Sequence, residues 1–235
     1  MRHPDSFQKL VQAAFLATSV LLILTAAVWG ARLLITHRAQ SGIPLATNTN
    51  VISGFPTGGH PAPDFTLVNQ FSQTVTLSSL RGHEVVLAFI DSRCTSLCPL
   101  TAKIMYDAKA RLKSSASQVE LVAVNANPAA TSIPQVQDWS IKHGMLHQWL
   151  FLTGTAQQLQ AIYRAYSVYD QVNSDGQAVH DPLLYIIDAK GHEQLYFETL
   201  SSNNTSDISS EETGLEIGMR QWLPQPAMKQ ATHAA

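Results

Sequence analysis

The sequence predicts an α/β domain built on a mixed central sheet flanked by helices. Three observations point there. Residues 85–90 (Val-Val-Leu-Ala-Phe-Ile) form a continuous apolar run, as expected of a central strand covered on both faces. Strand-like runs then alternate with segments of helical spacing, the pattern of βα units. Residues 183–187 (Leu-Leu-Tyr-Ile-Ile) and 194–197, joined by Ala189-Lys190-Gly191, read as a closing antiparallel hairpin.

The elements follow in order. The domain is expected to span residues 62–224, opening at Ala62-Pro63-Asp64-Phe65, and Thr74-Val75-Thr76-Leu77 is a short alternating strand. After the 85–90 strand, residues 101–112 show helical spacing through Ile104, Met105, Ala108 and Leu112. A second buried strand covers 119–124. Ile133, Val136, Trp139 and Ile141 suggest a helix that stops near Gly144. Residues 149–152 are strand-like and 158–166 helical. The stretch 201–210 reads as a polar loop, 211–222 as a last helix ended by Pro224, and 225–235 as a disordered tail. The aromatics Trp139, Trp149, Tyr163 and Tyr166 are most simply core.

The chain has 235 residues, a formal net charge of −2 and 45% hydrophobic residues, so it can bury a sizeable core. Near-neutral charge without basic runs argues against nucleic acid as a partner. No internal repeat is visible. Residues 1–9 read as a short tail and 10–35 as a transmembrane anchor. No charged residue stands between Lys9 and Arg32, and about 20 apolar residues span a bilayer as a helix. A cleaved signal peptide, with Ala26-Ala27-Val28-Trp29-Gly30-Ala31 supplying its site, is the alternative. Flanking charge is balanced and does not orient the segment. The short N-terminal tail favours export of the long C-terminal part, which places a single-pass protein's domain outside the cytoplasm. Residues 36–61, rich in Gly, Pro, Thr, Asn and Ser, read as a linker.

Cys94 and Cys98 are the only cysteines, in Arg93-Cys94-Thr95-Ser96-Leu97-Cys98-Pro99, between the 85–90 strand and the following helix. Unpaired N–H groups at a helix start stabilise negative sulfur, so such a pair is suited to bind a soft metal or exchange disulfides. A structural disulfide is the plain alternative, but it would close a very short loop and constrain the unfolded chain little. Export favours a pair that cycles between dithiol and disulfide. A cysteine pair beyond the carboxyl edge of a mixed sheet is the layout of a thioredoxin-like fold.

In these residues the chain resembles the Sco/SenC family of membrane-anchored thioredoxin-fold proteins. The resemblance covers about 62–223. It is carried by Ala62-Pro63-Asp64-Phe65-Thr66-Leu67, by Leu77-Ser78-Ser79-Leu80-Arg81-Gly82 leading into the strand, by the Cys-x-x-x-Cys-Pro spacing, and by His180 placed eight residues before Asp188. Members bind copper through two thiolates and a histidine, and help deliver it to, or reduce the thiols of, the copper site of cytochrome c oxidase. The resemblance therefore implies Cys94, Cys98 and His180 as ligands of Cu(I) or Cu(II). Two thiolates and an imidazole are a soft set suited to Cu(I). Implied partners are the oxidase copper-site subunit or another copper or thiol protein. The chain departs from the family where Thr95 and Ser96 replace Pro and Asp, and where Asn125-Ala126-Asn127-Pro128 replaces an acidic Asp-Pro stretch, which marks a divergent member.

Two other functions remain open: a thiol-disulfide oxidoreductase using Cys94 and Cys98 without stable copper, and a redox or copper sensor. For Pro182 the fold implies the position of a cis-proline, making Asp181-Pro182 a candidate. His143 and His147 stand at i, i+4 spacing, but Gly144 interrupts the helix they would need, so they read as surface histidines. Thr95-x-x-Cys98 has peroxiredoxin spacing, yet Asp91 occupies the position where that motif requires proline. Arg93 either lowers the cysteine pKa values by its charge or faces solvent.

Overall fold

A computed structural model of the chain describes residues 54–173, 176, 178–199 and 204–224. The expected anchor at 10–35 and the tail at 225–235 lie outside the described residues. Among those described, no helix is long and apolar enough to cross a membrane.

Six strands form the main sheet, in the order β1 (Phe55–Pro56), β10 (Glu193–Glu198), β9 (Leu183–Ile187), β4 (Glu84–Ile90), β5 (Val119–Asn125) and β6 (Leu150–Leu152). At its centre lies β4 (Glu84–Ile90), all seven residues of which are buried. It pairs in parallel with β5 (Val119–Asn125), which in turn pairs in parallel with β6 (Leu150–Leu152). On its other side β4 meets β9 (Leu183–Ile187) antiparallel, and β10 (Glu193–Glu198) returns against β9. The sheet is therefore mixed, as the alternation of elements predicts.

Period-2 alternation along β4 divides the core in two. Val86, Ala88 and Ile90 face a cluster that includes Ala102, Ile104, Met105, Leu215 and Met219. These come from α1 (Leu97–Arg111) and α4 (Thr205–Trp222). Val85, Leu87 and Phe89 face the other cluster, where Leu159, Ile162 and Tyr163 of α3 (Ala156–Ala165) pack with Tyr166 and Tyr185. The helix α2 (Ile133–Lys142) completes the set, and Trp139 on it is buried, stacked on Trp149 with ring centroids 5.5 Å apart. It ends where Gly144 takes a left-handed φ of 70°, a conformation glycine adopts without steric cost. At the start of α3, Thr155 Oγ1 accepts from Gln158 N while Gln158 Oε1 accepts from Thr155 N, a reciprocal cap.

Local expectations are corrected at several points. The last helix begins at Thr205, six residues ahead of 211, because Asn204 caps it by accepting from Ser206 N at 3.1 Å. The helix after the cysteines starts at Leu97 and already contains Cys98 and Pro99; proline is accommodated in a first turn whose N–H groups have no intrahelical acceptor. His180 is the last residue of a short strand that the elements expected from sequence do not include: β7 (Asp170–Val172) and β8 (Ala178–His180) form a separate antiparallel hairpin. The Asp181–Pro182 bond is trans. Within the stretch expected as linker, β1 (Phe55–Pro56) pairs with Tyr196 and Leu195 at the sheet edge. The remaining strands, β2 (Thr66–Val68) and β3 (Thr74–Thr76), form a hairpin of their own.

Candidate functional site

The parallel pairing sets Ile90 opposite Asn125, so the carboxyl ends of β4 and β5 finish at one edge of the sheet. The chain leaving β4 turns at Asp91, where Cys94 N donates to Asp91 O at 3.0 Å, and enters α1. This turn carries both cysteines. Trp139 Nε1 donates to Cys94 O at 3.2 Å and ties the turn to α2. Cys94 is half-buried and Cys98 buried, and no disulfide joins them.

The two sulfurs occupy opposite electrostatic settings. Cys94 Sγ accepts from Cys98 N at 3.4 Å and lies 3.8 Å from Ser96 Oγ. The Cys98 thiol, directed at it, is the largest influence, and with the Cys98 and Ser96 amides it brings the Cys94 thiol down to about 5 despite partial burial. Cys94 is thus a thiolate at neutral pH. Cys98 is pushed far up, first because it gives its hydrogen bond to Cys94, then by burial and the neighbouring negative sulfur. One proton is shared by the pair, and Cys98 keeps it.

His180 completes the group. Its Nε2 lies 3.7 Å from Cys98 Sγ, and its Nδ1 lies 3.0 Å from the carbonyl oxygen of Asp181. A carbonyl only accepts, so Nδ1 carries the hydrogen, and Nε2 is the ring nitrogen turned to Cys98. A backbone carbonyl holding the far nitrogen is how metal-binding histidines are commonly oriented. All three sequence-predicted residues therefore meet around Cys98. They are not drawn into a finished cage: among the described residues no cluster of three or more His, Cys, Asp or Glu side chains already stands ready to hold a metal ion.

The remaining candidates stay outside this group. His147 is exposed and stacks on Phe71 at 5.6 Å, as its surface reading expects, whereas His143 is half-buried, its ring tilted against Trp139 with centroids 4.1 Å apart. Arg93 is exposed, and its Nη1 donates to Gly176 O at 3.1 Å. The residues not anticipated are Asp91 and Asn127, both buried beside the turn. An acid placed immediately after the apolar run 85–90 was the available signal, since charged side chains are seldom fully buried unless paired.

Known proteins share this fold. The family model for SCO1/SenC matches residues 56–211. A SCO1 protein homolog of Bacillus subtilis (strain 168) is 23% identical over 151 residues, covering 63% of this chain and 78% of its own. The crystal structure of Arabidopsis thaliana ScoI with copper bound superposes with a TM-score of 0.59 at 21% identity, covering 68% of this chain and 99% of that one. BsSco, described as a member of the Sco family of cytochrome c oxidase assembly proteins with a disulfide switch, superposes at 0.54 and 21% identity, with 68% and 97% coverage. With the family model covering well over half of its length and the Sco thioredoxin-like fold reproduced, this chain belongs to the SCO1/SenC family.

Proposed function

We propose that this chain is a membrane-anchored, extracytoplasmic copper-binding protein that delivers copper to the copper site of cytochrome c oxidase. The observation that carries the reading is the approach of His180 Nε2 to within 3.7 Å of Cys98 Sγ, with Cys94 on the same turn. The donors suit the cargo. Two sulfurs and an imidazole nitrogen are soft ligands, Cys94 is already ionised, and His180 turns its Nε2 toward the sulfurs. Capture is then an assembly step in which Cys98 gives up its proton as metal arrives, so copper uptake releases protons. A partner's thiolates would take the ion by ligand exchange. Anchoring rests on the uncharged stretch between Lys9 and Arg32.

One observation favours a second reading, thiol-disulfide exchange. The pair is divided into an accessible thiolate and a buried thiol, as attack and resolution require. Cys94 sulfur would attack a partner disulfide, forming one S–S bond and releasing one partner thiolate. Cys98, having lost its proton, would then attack Cys94 and release the second. The partner gains two electrons and the Cys94–Cys98 pair ends as a disulfide.

His180 separates the readings, because an imidazole has no covalent part in the exchange. Copper delivery predicts that His180→Ala impairs oxidase maturation in cells while the reduced protein still reduces a partner disulfide at a similar rate. Normal oxidase activity in His180→Ala cells, with both cysteine variants inactive, would replace delivery by exchange.

A further inference from the structure

We propose that Asp91 and Asn127 are positioning residues that clamp the β7–β8 hairpin so that His180 stands against Cys98. The proposal rests on the copper reading for its purpose, but not for its geometry. Asp91 is 1% exposed and Asn127 fully buried, and together they join three separate parts of the chain. Asp91 Oδ1 accepts from Arg93 N at 2.8 Å and from Asn127 Nδ2 at 3.0 Å. Its Oδ2 accepts from Ala178 N at 3.0 Å, across 87 residues of sequence. Asn127 Nδ2 also donates to Gly176 O at 3.0 Å. The hairpin is thus held at Gly176 and Ala178, and His180 lies two residues beyond the second hold, on the same face of β8 as Ala178 by strand alternation.

A local turn needs only the bond from Asp91 to Arg93 N, and such side-chain bonds to the backbone two residues on are common. The other bonds do something different. They link the end of the strand that delivers the cysteines to the hairpin that delivers the histidine, through groups sealed from water. Asn127 is held in turn: its Oδ1 accepts from Ala129 N at 2.9 Å, and Asn125 Oδ1 accepts from its amide at 3.2 Å. Arg93 Nη1 adds a solvent-exposed bond to Gly176 O, where φ is +78°.

The donor pattern dictates the substitutions. Every group aimed at the Asp91 carboxylate is an N–H, so the NH₂ of an asparagine there would face a donor in either orientation. An aspartate at position 127 would set two carboxylates against each other and lose the bond to Gly176. The test uses amide hydrogen exchange at Ala178 in the metal-free full chain, together with copper affinity. Asp91→Asn and Asn127→Ala should each accelerate exchange at Ala178 by about tenfold or more, as losing a bond to a buried charged group implies, and weaken copper by a similar factor. In the copper(II) form, nitrogen hyperfine coupling from His180 should fade in both variants, which a general loss of stability with the site intact would not cause. Arg93→Ala, an exposed position that leaves the core untouched, should give a smaller change in the same direction. Ala178 exchange unchanged in both buried variants, or accelerated with His180 coupling intact, overturns the clamp. If the parent chain binds no copper while exchange at Ala178 responds as described, the clamp stands and the copper reading fails.

Discussion

Glu84 offers a quantitative test of how the central strand is built. It opens β4 fully buried, and neither carboxylate oxygen has a hydrogen-bond partner. Burial, with the charge of Asp188 adding to it, pushes the carboxyl up from 4.5 to about 9, so the folded protein holds it protonated at neutral pH. The unfolded chain ionises near 4.5. Stability from this group is therefore fully present below pH 4.5, falls as pH rises, and levels off above pH 9. The slope is about 1.4 kcal/mol per pH unit, which gives roughly 3 kcal/mol lost by pH 7 relative to pH 4.5. That is a large fraction of the 5–15 kcal/mol typical of a domain, as an order of magnitude. Glu84→Gln keeps the shape and removes the ionisation. In urea unfolding at pH 5, 6, 7 and 8, parent and variant should be close at pH 5 and diverge steadily, the variant becoming the more stable. Taking the difference cancels every other titrating group. Parallel stability curves across that range would show that Glu84 does not carry the buried proton.

Two further outcomes follow from other parts of the molecule. Alkylation of Cys94 by iodoacetamide should be half-maximal near pH 5, and in Cys98→Ala the midpoint should climb toward the ordinary thiol value, because the Cys98 thiol is the main stabiliser of the thiolate; a midpoint near 9 in the parent chain would refute this. Gly218→Ala should destabilise by about 1–3 kcal/mol in chemical denaturation, since a Cβ there would lie 2.8 Å from both Ile186 Cδ1 and Phe197 Cζ where α4 rests on the sheet, and a neutral result would mean the helix shifts freely.

The strands β4, β5 and β9 are legible in sequence because both of their faces are buried, leaving almost uninterrupted apolar runs. The cysteine turn is legible for the same reason: the strand before it ends sharply. The start of α4 is not, because Thr205, Ser206, Asp207 and Ser209 are the residues of an exposed polar loop as readily as of a capped first turn. The β7–β8 hairpin escapes notice because its strands are three residues each and show no apolar alternation. What fixes it is a carboxylate 87 residues away, and no local pattern encodes that pairing. Cys94, Cys98 and His180 were therefore identifiable as residues, while the device that brings the histidine to the sulfurs became visible only in three dimensions. Asp91 shows the difference well. In sequence it merely rules out a peroxiredoxin motif, and in the fold it joins the strand to the hairpin.

The most direct test of copper binding is a competition titration of the reduced full chain, in detergent, against a chelator of known copper affinity. One copper per chain should bind, with Cys94→Ser and Cys98→Ser each weakening it strongly, His180→Ala weakening it clearly, and His143→Ala weakening it far less, since the His143 ring packs against Trp139 whereas His180 Nε2 stands against Cys98 Sγ. Parent-like affinity in both cysteine variants would contradict the assignment of copper to this site.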